Sequence, residues 1–218
     1  MSKSYELTQM NHFTYTLKIH GDNSIHLYNS INKIVKTSQI DYDSNTIYFS
    51  AEKVISLKKR ILTQKHKCLS HGTCIKLIDD LTKQIIYLRS LGYGFYGFDI
   101  DDILIIDNTF IFCNTQYLLP LDNDSIIFCS EIKQPYFSNP EVFKLTTLPT
   151  EINYKCCYYS FGSLIVFCLL HIYLLVGNEI KTPEEIDNII YPLFNTKIYW
   201  FIKRCLEQDI NRRRLLLI

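Results

Sequence analysis

Glycine and proline are scarce in this 218-residue chain, at 7 and 6 residues. Gly21 is the only glycine before Gly72, so the N-terminal part has no glycine-rich loop of the kind that lets a backbone approach phosphates. An excess of charge of one sign is also missing: 23 Lys and Arg face 22 Asp and Glu, which excludes a polycation that grips nucleic acid through its phosphates. The chain also lacks the combination of low hydrophobicity and high charge that keeps segments disordered, because hydrophobic residues make up 47% and charged residues 21%. Internal repeats and low-complexity linkers are absent. What remains is a chain long enough to bury a sizeable core, as one large domain or two small lobes.

The N-terminal sequence MSKSYELTQMNHF has no apolar stretch after its lysine and no small-residue cleavage pattern, which predicts that no secretory leader is present. Cysteines stand at 68, 74, 113, 129, 156, 157, 168 and 205, several of them inside strongly apolar runs. That placement predicts buried, reduced thiols and a reducing compartment. One long uncharged run, Cys156 to Asn178, has roughly the length of a membrane span. Ser160, Gly162, Ser163 and His171 interrupt it, and no basic cluster flanks it, so it is expected to be the central helix of a globular domain, apolar all round.

Residues 13 to 50 read as strands. Phe13, Tyr15, Leu17 and Ile19 alternate with polar residues, Gly21-Asp22-Asn23 offers a turn, Ile25-His26-Leu27-Tyr28 continues the pattern, and Asn45 to Ser50 is a further strand. From Ala51 the period becomes helical at Val54, Leu57 and Ile61. After a loop over 63–73, Ile75, Ile78, Leu81, Ile85 and Leu88 mark a second helix that Gly92 can end. Ile103 to Ile106, the turn Asp107-Asn108 and Phe110 to Phe112 form a tight hairpin. A loop-like stretch with Pro120, Pro135, Pro140 and Pro149 leads to the apolar helix. Thr182-Pro183-Glu184-Glu185 is a capping box, and Ile198, Phe201, Ile202 and Cys205 stand in register on a last helix.

Several motifs invite a chemical reading. Gly92-Tyr93-Gly94-Phe95-Tyr96-Gly97 matches G-x-G-x-x-G, but a helix precedes it and a strand follows, the reverse of a nucleotide loop, so it reads as a helix stop and a turn. His66, Cys68, His71 and Cys74 are zinc-ligand types, yet an H-x-C pair without a distant second pair reads as a polar loop. Asp99, Asp101 and Asp102 crowd carboxylates in front of a buried strand, where they can bind Mg²⁺ or supply a base, or form a solvated acidic turn. Arg212 to Arg214 read as a helix-end cap or a carboxylate partner.

Three anchors, taken in order, resemble a eukaryotic-type protein kinase, and more closely the divergent kinase-like proteins of large DNA viruses. Phe137-Ser138-Asn139-Pro140-Glu141 resembles the Pro-Glu motif closing the activation segment. Tyr159-Ser160-Phe161-Gly162 resembles the start of the central hydrophobic helix, and Arg204-Cys205-Leu206 with Asp209 and Arg213 resembles the ending of the last helices. The resemblance implies an α+β, protein-kinase-like fold with a reduced N-terminal β lobe at 1–50 and a mainly helical C-terminal lobe at 51–218. It also implies a structural ion pair between Glu141 and Arg213, with both groups largely shielded from water.

The family's catalytic residues do not carry over. Alignment at Ile103-Leu104 puts Asp102 in the position of the metal-binding Asn, Gly97 where the catalytic Asp belongs, and Asn114-Thr115-Gln116 in place of Asp-Phe-Gly. Cys157 stands where the central helix carries an Asp, and no Val-Ala-Ile-Lys strand precedes the hinge. The resemblance therefore implies a pseudokinase acting through a protein partner, in the host cytoplasm or the virion, with no cofactor, nucleic acid or membrane. The alternatives are a degenerate active serine/threonine kinase, with Asp99 as base, Asp102 and Asn114 as cofactor-binding candidates and ATP and Mg²⁺ as cofactors, and a membrane-anchored protein held by 156–178.

Overall fold

The computed structural model describes residues 4–176 and 179–217. Alternation builds the first sheet. In β2 (Thr14–Ile19) Tyr15, Leu17 and Ile19 are buried, and the intervening residues face outward. β1 (Tyr5–Gln9) pairs with β2. Between β2 and the next strand lies α1 (Ser24–Ile34), followed by β3 (Gln39–Asp41) and β4 (Thr46–Ser50), giving an antiparallel sheet of order β1-β2-β4-β3. The strand expected at Ile25 to Tyr28 is thus the first half of a helix. Leu27, Tyr28 and Ile31 form its buried face, and the Tyr28 hydroxyl accepts the Ile19 N–H at 2.7 Å and donates to the Asn45 carbonyl at 2.7 Å. Leu27 and Ile31, one turn apart, outrank the accidental Ile25/Leu27 alternation.

After Ala51, β5 (Val54–Ser56) joins a second sheet, and the helical period begins only at α2 (Leu57–Leu62), where the Ser56 hydroxyl accepts the Lys59 N–H. α3 (His71–Ser90) starts on the Ser70 cap, and Gly92, at φ +80°, turns the chain into β6 (Tyr93–Phe95). A 3₁₀ turn over Ile100–Asp102 leads into the hairpin of β7 (Ile103–Ile106) and β8 (Thr109–Phe112), with β5 on its outer edge. Asp80 and Gln84, both buried on α3, accept the backbone N–H groups of Phe110 at 3.0 Å and Phe112 at 2.7 Å. They fasten helix to hairpin through polar groups, which hydrophobic periodicity does not register.

The proline-bearing stretch is more ordered than its composition predicts. It holds β9 (Leu118–Asp122), β10 (Ser125–Phe128), the short α4 (Pro140–Phe143) and β11 (Thr150–Asn153), with sheet order β11-β10-β9-β6. Pro120 is accommodated because β9 meets β10 only at Leu121 and Asp122.

α5 (Cys156–Leu170) is 15 residues long and buried on every side from Cys156 to Cys168. Phe161 meets Phe98 and Phe201 edge-on, and a Cβ added at Gly162 would fall 2.8 Å from that of Cys205, so this glycine allows the last long helix to pack closely. The helix stops at His171, whose φ of 57° is left-handed. Leu170 itself is only partly buried, so the centre of the core is Ile165, Phe167 and Leu174 rather than the helix end. β12 (Leu175–Val176) and β13 (Glu179–Ile180) follow, and Gly177 and Asn178, the end of the uncharged run, lie outside the described residues. Among the described residues no helix is long and apolar enough to cross a membrane. α6 (Pro183–Ile190) carries the full Thr182/Glu185 capping box, and α7 (Lys197–Cys205) lies against α5. The result is an α+β molecule of small antiparallel sheets and packed helices. All eight cysteines are free, with Cys68 half-buried, Cys129 exposed and the rest buried.

Candidate functional site: a carboxylate-lined cleft

The 3₁₀ turn before β7, the end of β8 and the first described residues of the chain converge on a cleft of about 620 Å³. Asp99, Asp101, Asp102 and Asn114 line it, with Ser4, Tyr5 and Lys133 opposite. The geometry follows from local structure. The 3₁₀ turn projects Asp101 outward and Asp102 inward, and the Cys113 N–H binds the Asp102 carbonyl at 2.9 Å, which brings Asn114 beside the Asp102 side chain.

Each buried carboxylate is already engaged. Asp102 accepts from Asn114 Nδ2 at 2.7 Å on one oxygen and from the Ser4 hydroxyl at 2.9 Å on the other. Asp99 accepts from the Tyr117 hydroxyl at 2.5 Å and from the Tyr136 N–H at 2.6 Å. Burial pushes the Asp102 carboxyl up to about 6, against the opposing pull of its hydrogen bonds from Asn114 and Ser4. The Tyr117 phenol is raised by burial and by the Asp99 carboxylate that it serves. Asp101, in contrast, is exposed and pairs with Lys58 at 2.8 Å, and that bond holds the Lys58 ammonium above its ordinary range.

The sequence candidates therefore fall into two groups. Asp99, Asp102 and Asn114 share the cleft, while Glu141 and Arg213 meet elsewhere, 72 positions apart in sequence. Their contact is bidentate, Nη1 to Oε2 at 3.0 Å and Nη2 to Oε1 at 2.7 Å. Arg213 is fully buried, donates Nε–H to the Glu207 carbonyl at 2.8 Å and lies 5.2 Å from the centre of the Tyr159 ring. Glu141 keeps 24% of its side chain exposed, so only the guanidinium is shielded to the degree expected.

Other contacts were not signalled by the sequence. Asn139 caps α4 through the Val142 N–H at 2.9 Å, while its amide donates to the Tyr96 carbonyl at 2.7 Å and the Ser160 hydroxyl at 3.0 Å, tying the turn before the cleft to α5. The Asn-Pro dipeptide announces the cap but not the second tie. Ser4 and Tyr5 enter the cleft from a segment without any motif, and the Tyr5 hydroxyl donates to the Asp101 carbonyl at 3.3 Å. Gly97 closes against Pro135, where a Cβ would fall 2.1 Å from the ring, so a side chain at the position aligned with the catalytic Asp would require Pro135 to move. Among the described residues no group of His, Cys, Asp and Glu is arranged to hold a metal ion, the His66-to-Cys74 loop included. No family model matches the chain, and no curated protein does so either.

Proposed function

We propose that this chain is a protein-kinase-like scaffold without phosphotransfer activity, related to the divergent kinase-like proteins of large DNA viruses, and that it acts by binding another protein in the host cytoplasm or the virion. In this reading residues 1–50 form a reduced N-terminal lobe and 51–218 the C-terminal lobe, with the cleft between them. The order of elements supports it: a small antiparallel sheet crossed by one helix comes first, then a long helix, a buried hairpin and an apolar central helix. The Glu141–Arg213 pair supports it in the C-terminal half.

One observation carries the inactive reading. Asp102 and Asn114, which the alignment puts at the two metal-binding positions, bond to each other at 2.7 Å, and Ser4 takes the remaining oxygen of Asp102. Phosphoryl transfer is positioning plus neutralisation of charge by Mg²⁺ and Lys, so groups spent on one another leave the mechanism without its parts.

The alternative, a degenerate active kinase with Asp99 as base, is favoured by the gathering of Asp99, Asp101 and Asp102 with Lys133 around one cleft. Thermal melting with millimolar ATP, with and without Mg²⁺, separates the two. The scaffold shows no Mg²⁺-dependent rise in Tm, whereas a rise of several degrees, on the order of 2–3 kcal/mol of ligand-linked stability, would overturn it.

A further inference from the structure

The opposite end of β7 opens on a second hollow, of about 720 Å³, which shares no lining residue with the carboxylate cleft. Ile34 and Val35 at the end of α1, Tyr87 on α3 and Ile106 on β7 give it an apolar floor. Around that floor stand four lysines, Lys33, Lys36, Lys76 and Lys83, against two aspartates, Asp80 and Asp107. The chain as a whole carries a net charge of only +1, so this is a local concentration.

The charges differ in availability. Lys76 is paired with the buried Asp80, and Lys83 with Asp79 at 2.6 Å. Asp107 is turned to the backbone, accepting the N–H groups of Glu52 and Lys53, each at 2.9 Å. The Lys33 ammonium rests 5.4 Å from the centre of the Tyr87 ring. Among the described residues neither Lys33 nor Lys36 forms an ion pair, and both are exposed.

Three physical points select the occupant. Beneath the floor, Gln84 is satisfied by the Ser30 hydroxyl at 2.9 Å and by both backbone groups of Phe112, so it has nothing left to offer a small polar ligand. Asp80 and Asp107 line the hollow itself, and their carboxylates disfavour an anion held deep. Anionic groups are accordingly favoured at the lysine rim and apolar groups on the floor, which is the pattern of an acidic, amphipathic peptide. A nucleic acid asks for a longer basic track than one hollow provides.

We infer that this hollow docks an acidic segment of the partner protein, with an apolar side chain on Ile34, Val35 and Ile106 and its carboxylates on Lys33 and Lys36. The inference rests on the reading of the chain as a binding scaffold and names the chemistry of its partner. The test uses the full chain and a short fluorescein-labelled peptide in which Asp and Glu flank leucines, followed by fluorescence anisotropy. Binding is expected to weaken with added salt and to fall about tenfold or more in Lys33→Glu/Lys36→Glu, which unfolds cooperatively with a slightly lowered melting temperature because the contact with Tyr87 is lost and acidic groups stand at the end of α1. The Lys33→Gln/Lys36→Gln variant, which removes charge without reversing it, gives a smaller loss in the same direction. Absence of binding to the wild-type chain, equal affinity for a lysine-rich peptide, tighter binding of a polynucleotide, or equal affinity in the charge-reversed variant would each overturn the inference. A radiolabelled ATP turnover assay on the same sample reads the scaffold reading separately: turnover sinks that reading whatever the peptide does, and a failed peptide without turnover sinks the docking site alone.

Discussion

Two buried polar clusters in this molecule are built on opposite rules. At the end of the chain Arg213 and Glu141 bring opposite charges into bidentate contact, with a backbone carbonyl and an aromatic face completing the guanidinium's surroundings. In the cleft Asp99 and Asp102 are held by neutral donors, a phenol, an amide, a hydroxyl and a backbone N–H, and among the described residues no cation bonds to either. The first arrangement fixes two distant parts of the chain. The second leaves a buried carboxylate uncompensated enough that its affinity for a proton rises to about 6. The Glu141–Arg213 tie is charge-matched, and the cleft is not.

The largest expected effect comes from breaking the matched cluster. Glu141→Ala strands a fully buried guanidinium and is expected to cost roughly 3–5 kcal/mol in urea unfolding. Arg213→Ala leaves a carboxylate that still reaches water over a quarter of its surface, and it costs less on the charge side, though it also empties the space under Tyr159. The double replacement is expected to cost less than the two singles summed, because a coupled pair is not additive. Additive costs would show that the two groups act independently and would remove the main support for the alignment of the C-terminal half.

An intermediate effect is expected in the unmatched cluster, and it depends on pH. The Asp102 carboxyl holds its proton up to about 6 in the folded chain, against an ordinary 3.8. Folding is therefore favoured while the proton is on, and the contribution is lost as the pH rises from about 4 through about 6, amounting to roughly 2–3 kcal/mol. Asp102→Asn removes the titration and keeps the geometry, with the new amide oxygen receiving Asn114 and the new amide N–H turning to Ser4. The stability difference between variant and wild type is expected to shift in the variant's favour across that window and stay level above it. A difference curve that is flat from pH 4 to 7 would mean that the cleft does not strain its carboxylate.

How much of each cluster was legible in the sequence follows from the same contrast. The matched contact was plain through the resemblance alone, which pairs the Glu of Asn139-Pro140-Glu141 with the Arg standing four positions after Asp209. The hairpin at 103–112, the capping box at 182 and the apolar α5 were equally plain, since each has a period or a cap that local physics enforces. The cleft was legible only in Asp99, Asp101, Asp102 and Asn114. Ser4, Tyr117 and Tyr136 reach Asp102 and Asp99 across long sequence separations, and neutral donors of that kind leave no pattern. Four residues of alternation at Ile25 to Tyr28 mislead because the turn of helix that follows them decides the structure, and proline misleads over 118–153 because Pro120 lies on a partly paired strand.

The smallest expected effect sits at the mouth of the cleft and sharpens what the interior does. Lys58 and Asp101 approach at 2.8 Å, but their side chains are 51% and 55% exposed, so solvent screens the attraction and side-chain entropy opposes it. Lys58→Ala is expected to cost about 0.2–1 kcal/mol, less at high salt, and to leave the pH window of Asp102 where it is, because the exposed Lys58 ammonium bonds the outward-facing Asp101. The comparison with Asp102→Asn is the informative part. Two adjacent aspartates with the same chemistry, one turned outward and one inward by a single 3₁₀ turn, should differ several-fold in what their environment costs or contributes. Urea melts of both variants at low and high salt read that difference directly. A loss above roughly 2 kcal/mol for Lys58→Ala, or a moved pH window, would show that the rim pair and the buried carboxylate form one network rather than a screened surface contact beside an unmatched interior charge.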